Sequence, residues 1–144
     1  HLPARDAPAP DIRALLEGAP NVTLHGALPR EAVHAALARA GVVIVPSRWP
    51  ENQPYAVLEA QLLARPVVAA AVGGIPELID HGVDGWLVPP GEPAALAAAV
   101  QHALNHPADA AELGLRARAR VQREHSPERW FRTMAALLRL GGTA

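Results

Sequence analysis

Two short aliphatic runs, Val42–Val45 (VVIV) and Pro66–Ala70 (PVVAA), constrain the fold more than any other feature of the sequence. Unbroken runs of this kind, with no polar alternation, are typical of strands that are covered on both faces of a parallel sheet. Helical patterns lie between and after them, so strands alternate with helices as in α/β proteins. We therefore predict an α/β fold, a Rossmann-like parallel sheet with helices on both faces.

Local signals divide the remainder of the chain into further elements. Two more strands are predicted at 21–25 (NVTLH) and 86–88 (WLV). Helices are predicted at 11–18, 29–40, 55–64, 75–80, 93–104, 108–124 and 127–140. About four strands are fewer than a complete doubly wound domain carries, and the chain begins with His1 rather than Met. We expect a piece of a longer protein, truncated on its N-terminal side.

Composition excludes several classes of function. Half of the 144 residues are hydrophobic but only 3% are aromatic, so the core must be aliphatic. Cysteine is absent, which excludes disulfides and thiolate metal sites. The sequence has no apolar run of about 18 residues that would span a membrane. The formal net charge of −1 gives no electrostatic reason to expect a nucleic acid partner.

Two carboxylates, Glu51 and Glu59, lie where the predicted strand 42–45 gives way to the next helix, in PSRWPENQPYAVLEA. Ligands of open parallel sheets bind beyond the carboxyl ends of the strands, and a helix that begins near Tyr55 would direct free N–H groups toward a phosphate there. Glu59 sits among apolar neighbours, where a carboxylate could accept the two hydroxyls of a ribose. The alternative is structural: a solvated Glu51, and a Glu59 that pairs with a nearby Arg.

Other polar features have simpler explanations. Gly73 and Gly74 allow a ligand to approach the backbone but equally suit a tight strand-to-helix turn, and Glu77 is favourable in a first helical turn. His102 and His106 lack the Glu of a zinc motif, so we predict a surface pair and no metal site. Four arginines on one helix are predicted to form a solvated face: Arg116, Arg118, Arg120 and Arg123.

The last predicted helix carries an apolar stripe. Ser126 and Pro127 form a strong helix start. The stripe comprises Trp130, Phe131, Met134, Leu137 and Leu138. It either seals the core of this domain or docks on a partner domain.

Together these segments resemble the donor-binding half of a GT-B retaining glycosyltransferase of the group 1, or GT4-type, family. The resemblance runs from about residue 21 to residue 140 and centres on the family's E-x7-E pattern, which Glu51 and Glu59 match. That pattern is specific here because PS precedes it and PVV and GG-x-x-E follow it in register.

The resemblance implies a site for a UDP- or GDP-linked sugar donor, with no cofactor and no metal. Glu51 would be the catalytic residue beside the donor sugar, and Glu59 would hold the ribose hydroxyls. Backbone N–H groups near the sugar and β-phosphate would come from Asn52, Gln53 and Tyr55. The segment from Gly26 to Leu28 would line the base pocket, and Gly73 with Gly74 would close the site near the phosphates.

The resemblance also implies an organisation of the chain. Residues 1–10 would be an irregular lead-in, 11–125 the nucleotide-sugar-binding domain, and 126–144 a C-terminal helix that docks on an N-terminal acceptor domain. It implies a hexosyltransferase of cell-envelope or capsular glycans, at a cytoplasmic location, with the inner face of the membrane as the alternative. Peripheral membrane contact would come through the part of the protein not present here.

Two departures from the family pattern limit this prediction. Many relatives have Gly where this chain has Pro54, which has no N–H to donate. The family's diphosphate-binding Arg and Lys belong to an earlier segment, and this chain contains no Lys. We therefore expect the fragment alone to be inactive. A non-catalytic nucleotide-binding or interaction module is the main alternative, and a sugar-nucleotide epimerase is disfavoured by the E-x7-E spacing.

Overall fold

A computed structural model of the protein describes residues 19–140. Its three strands are β1 (Val43–Val45), β2 (Val67–Ala70) and β3 (Trp86–Val88). Its helices are α1 (Arg30–Arg39), α2 (Tyr55–Leu62), α3 (Ile75–Leu78), α4 (Pro93–Asn105), α5 (Pro107–Glu124) and α6 (Pro127–Leu140). The lead-in predicted at 1–10 and the helix predicted at 11–18 lie outside the described residues.

The strands form one parallel sheet in the order β1-β2-β3. Val43 pairs with Val67, and Val68 pairs with Trp86. Because each strand returns through a helix, all three carboxyl ends meet at the same edge of the sheet. The predicted α/β architecture is confirmed.

One face of the sheet carries the main core, to which α2 and α3 contribute. Val43 and Val45 of β1 and Val67 and Ala69 of β2 are buried there. The helical side chains packed on them are Val57, Ala60, Ile75, Leu78 and Ile79. Small and β-branched aliphatic residues thus build the core, as the low aromatic content predicts.

The opposite face of the sheet is covered unevenly. Helix α4 packs on β2 and β3, and all four residues of β2 are buried. In β1, Ile44 points to this second face and remains 45% exposed. The prediction that the 42–45 strand is covered on both faces is therefore wrong within the described residues, since α4 lies over the other two strands.

The strand predicted at 21–25 is also wrong, because the structure shows no regular secondary structure there. A strand needs a hydrogen-bonded neighbour. In the described residues the strands pair only in the order β1-β2-β3, and none pairs with residues 21–25.

Helix α5 closes the structure over α2 and approaches it closely. A Cβ atom at Gly114 would overlap the carbonyl oxygen of Ala64, which has φ +55° and lies two residues after the end of α2. Gln61 of α2 is fully buried and donates from Nε2 to the carbonyl of Leu78 at 2.8 Å, which ties α2 to α3. These contacts fix α2, and with it the segment that precedes it.

Candidate functional site

The loop between β1 and α2 carries Glu51 at the carboxyl edge of the sheet. Ser47, two residues after β1, donates its hydroxyl to Oε1 of Glu51 at 3.0 Å. Because both residues lie in one short loop, this bond sets the direction of the carboxylate relative to the strand end. The functional importance of Glu51 remains a prediction, but its side chain is held rather than free.

The two glycines after β2 pack directly against this loop. Gly73 has φ +58°, and a Cβ there would crowd the backbone of Glu51. A Cβ at Gly74 would overlap the carbonyl oxygen of Asn52, and the Gly74 N–H donates to the carbonyl of Glu51 at 2.6 Å. The sequence offered a ligand contact or a tight turn. The structure adds a third role, which is to fix the backbone of the Glu51 loop.

Helix α2 begins at Tyr55, immediately beyond this loop. Pro54 is its N-cap residue, and none of the described side chains caps its first turn. The Tyr55 side chain is 78% exposed, and Gln53 contacts His125 at the end of α5, with 3.4 Å between Nε2 and Nδ1. Free N–H groups at a helix start favour an anion, so the geometry suits a phosphate beside Glu51.

Glu59 lies one turn into α2 and faces α1. His34 Nε2 is 3.2 Å from its Oε1, and Arg30 Nη2 is 3.8 Å from the same oxygen. The structural alternative for Glu59, pairing with a nearby Arg, is thus present through Arg30, and His34 is the nearer partner. Oε2 takes neither contact, so one oxygen of the carboxylate remains available to a diol.

The segment from Gly26 to Leu28 is much less enclosed. A Cβ built at Gly26 would meet no atom within 4 Å, and the Leu28 side chain is 41% exposed. The assignment of this segment to the base pocket remains a prediction.

A cavity of about 330 Å³ opens where the three strands end, a volume at the lower end of the range for small-molecule sites. Neither Glu51 nor Glu59 lines it. Its lining consists of Pro46, Arg48, Ala70, Val88, Pro89, Gly91, Glu92, Pro93 and Leu96. It therefore opens beside the Glu51 loop rather than over the two carboxylates.

Arg120 corrects the prediction of a solvated arginine face on α5. Its Nη1 donates to buried Asp84 at 3.0 Å, and its Nη2 donates to the carbonyl of Glu77 in α3 at 2.8 Å. Burial by itself lowers the pKa of Arg120, but the bonds to Asp84 and Glu124 raise it above its ordinary value. Bonds from Arg123 and then Arg120 lower the pKa of Glu124. Arg120 thus braces the helix that follows the two glycines.

The described residues contain no group of three or more His, Asp or Glu side chains placed to hold a metal ion. His102 and His106 stack on each other, with ring centroids 4.4 Å apart. Within residues 19–140, no helix is long and apolar enough to cross a membrane.

The C-terminal helix α6 does not seal the core. Its apolar side chains remain largely exposed, with Phe131 66% and Leu138 77% accessible. Of the two alternatives for this stripe, sealing the domain's own core is therefore not seen in the described residues, and docking on a partner stays a prediction.

Sequence reasoning missed three residues that contact the predicted carboxylates. Ser47 belongs to the quoted PS motif, and its spacing of four from Glu51 could have suggested a loop hydrogen bond. Arg30 and His34 are also four apart, which places them on one face of α1. Nothing in the sequence shows that this face meets Glu59.

Comparison with known proteins identifies a family for this chain. Residues 4–106 match the family model described as glycosyl transferases group 1. The chain belongs to this glycosyltransferase family. A curated relative, the amylovoran biosynthesis glycosyltransferase AmsK of Erwinia amylovora, is 37% identical over 122 residues, covering 81% of this chain and 30% of AmsK.

Solved structures of glycosyltransferases have the same fold. Sucrose-phosphate synthase from Thermosynechococcus elongatus superposes with a TM-score of 0.80 and 34% identity, over 90% of this chain and 33% of that one. HepE from Anabaena, in complex with UDP-glucose, gives a TM-score of 0.67 and 31% identity, over 72% of this chain and 28% of HepE. The chain spans about a third of the length of these relatives. The resemblance to a GT-B C-terminal domain is confirmed.

Proposed function

We propose that this chain is the donor-binding part of a retaining glycosyltransferase, which transfers a hexose-type sugar from a UDP- or GDP-linked donor to a glycan, lipid or small-molecule acceptor. One observation supports the proposal: Gly73 and Gly74 pack against the backbone of the Glu51 loop, which leads directly into the uncapped start of α2. The loop thus brings a carboxylate and a helix start to the carboxyl edge of a parallel sheet, where nucleotides bind in such folds.

The proposed roles of these residues follow from the charges that develop on the phosphate and the sugar during transfer. Departure of the nucleoside diphosphate leaves negative charge on the phosphate and an oxocarbenium-like sugar. The N–H groups at the start of α2 stabilise the developing phosphate charge, and Glu51, oriented by Ser47, stabilises the cationic sugar on the same face. Pro54 contributes no N–H, so the contact falls to its neighbours Gln53 and Tyr55.

Glu59 is assigned to the ribose. Its carboxylate can accept bonds from both ribose hydroxyls, because an ionised carboxylate offers about four acceptor positions. That HepE was crystallised with UDP-glucose supports a uridine nucleotide as the first donor to test, with a guanosine nucleotide as the alternative.

The test compares the two carboxylates in the full natural chain that carries this sequence. Glu59→Ala should weaken UDP or GDP binding at least about tenfold, since hydrogen bonds to a charged group are lost. Glu51→Gln should leave nucleotide binding within about twofold and lower sugar transfer by about 100-fold or more. Titration calorimetry measures nucleotide affinity, and a transfer assay measures the loss of sugar transfer. The anomeric configuration of the product shows whether transfer occurs with retention. Unchanged nucleotide affinity in Glu59→Ala, or a product of inverted configuration, contradicts the proposal.

A non-catalytic interaction module is the second candidate, and the exposed apolar face of α6 favours it. It would be supported if the full natural chain bound neither UDP nor GDP while retaining its fold.

A further inference from the structure

Glu59 receives its contacts from one face of helix α1. Arg30 and His34 occupy successive turns of that helix, and both reach Oε1 of Glu59, at 3.8 Å and 3.2 Å. A carboxylate that formed only non-specific ion pairs could accept these contacts on either oxygen. Here both contacts go to the same oxygen, Oε1.

The two basic residues are not equivalent. The His34 side chain is 39% exposed and lies within hydrogen-bond distance, whereas the Arg30 side chain is 77% exposed and lies beyond it. Exposed ion pairs of the second kind contribute little and are screened by salt. His34 is therefore the residue that orients the carboxylate.

We infer that His34 is a positioning residue for nucleotide binding: it holds Oε1 of Glu59 and leaves Oε2 to accept the ribose hydroxyls. The inference rests on the proposed function, because it assumes that Glu59 binds the ribose. An ionised carboxylate only accepts hydrogen bonds, so His34 must carry a proton on Nε2 to make this contact.

The advantage is preorganisation. A glutamate side chain that is free in solution must be immobilised when ligand binds, which lowers affinity. A carboxylate already held by His34 avoids part of that cost, and the benefit appears only with ligands that use the carboxylate. Loss of His34 should therefore affect ribonucleotides more than deoxyribonucleotides.

The experiment measures binding of UDP and GDP, and of their 2′-deoxy forms, to the full natural chain by titration calorimetry. His34→Leu removes the donor and keeps an apolar side chain of similar bulk. His34→Gln keeps an N–H donor at a similar reach, and Arg30→Met removes the longer contact to the same oxygen.

For whichever nucleotide binds, His34→Leu should weaken the ribonucleotide roughly five- to tenfold and the 2′-deoxynucleotide distinctly less, because only its 3′-hydroxyl still uses the Glu59 carboxylate. His34→Gln should restore most of the preference for ribose, and Arg30→Met should keep it within about twofold.

Three results would overturn the inference. They are an unchanged ribose preference in His34→Leu, an equal loss for both sugars, and a His34→Gln variant as weak as His34→Leu. The control is Glu59→Gln. If that variant keeps the ribose preference, the assignment of Glu59 itself fails; if it loses the preference while His34→Leu does not, only the role of His34 is wrong.

Discussion

The Glu51 loop and the Gly26–Leu28 segment were both predicted to contact the donor, yet the chain holds them very differently. The first is pressed against Gly73 and Gly74 and joined to them by a backbone hydrogen bond. The second has open space around Gly26 and an exposed Leu28. The proposed phosphate-and-sugar half of the site is thus built by local packing, whereas the proposed base half remains open at Gly26 and Leu28.

The largest expected effect comes from a matched pair of glycine substitutions. Gly74→Ala should destabilise the protein by about 3–4 kcal/mol, because the new Cβ overlaps a backbone oxygen that no rotamer change can move. Gly26→Ala should change stability by less than about 0.5 kcal/mol. Thermal unfolding, with hydrogen exchange of residues 51–57, measures both. Equal effects at the two sites would remove the contrast between the two halves.

A smaller loss of stability is expected at Arg120, which braces the helix after the two glycines. Arg120→Met should cost about 2–3 kcal/mol, because it leaves the Asp84 carboxylate, whose side chain is 5% exposed, without its cation. Arg123→Met is the control; its side chain is 65% exposed and pairs with Glu124, so a loss below about 1 kcal/mol is expected. Denaturant unfolding distinguishes them. A harmless Arg120→Met would show that the Glu51 loop does not depend on this brace.

The smallest effect is a pH dependence at Glu124. Its pKa in the fold is lowered below the ordinary 4.5 by Arg123 and Arg120, so its contribution is complete above about pH 4.5 and disappears as pH falls through the lower folded pKa. The contribution should stay below about 1 kcal/mol, since the pair is accessible to solvent. Melting temperature between pH 6 and 3, in the protein and in Glu124→Gln, checks it. A variant with the same acid dependence as the parent would contradict the assignment.

Most helices and all three strands of the described residues could be predicted from the sequence, because their signals are local. The strand Trp86–Val88 and the helix Pro127–Leu140 have the predicted bounds. In both cases turn or capping residues mark the start directly. The segment 21–25 failed because a strand is defined by its neighbour, which the pattern of a single segment cannot supply.

The sequence names the candidate site residues, whose roles remain predictions, but not their contacts. Glu51, Glu59 and the two glycines follow from a motif, whereas the packing of Gly74 on Asn52 and the contact of His34 with Glu59 depend on the relative placement of separate elements. Arg120 shows the same limit: its exposed neighbours on α5 share its sequence pattern, and only the position of Asp84 distinguishes it.

The strand order β1-β2-β3 has a consequence for how this part of the protein is made. Each strand pairs with the next one along the chain after a single helical crossover, so the chain closes only short loops. Strands can therefore be added one at a time during synthesis. Once β2 has paired with β1, Gly73 and Gly74 follow immediately and close on the Glu51 loop. The backbone contacts between the two glycines and the Glu51 loop can thus form before α5 is complete, and α5 then fixes α2 and braces α3 from outside.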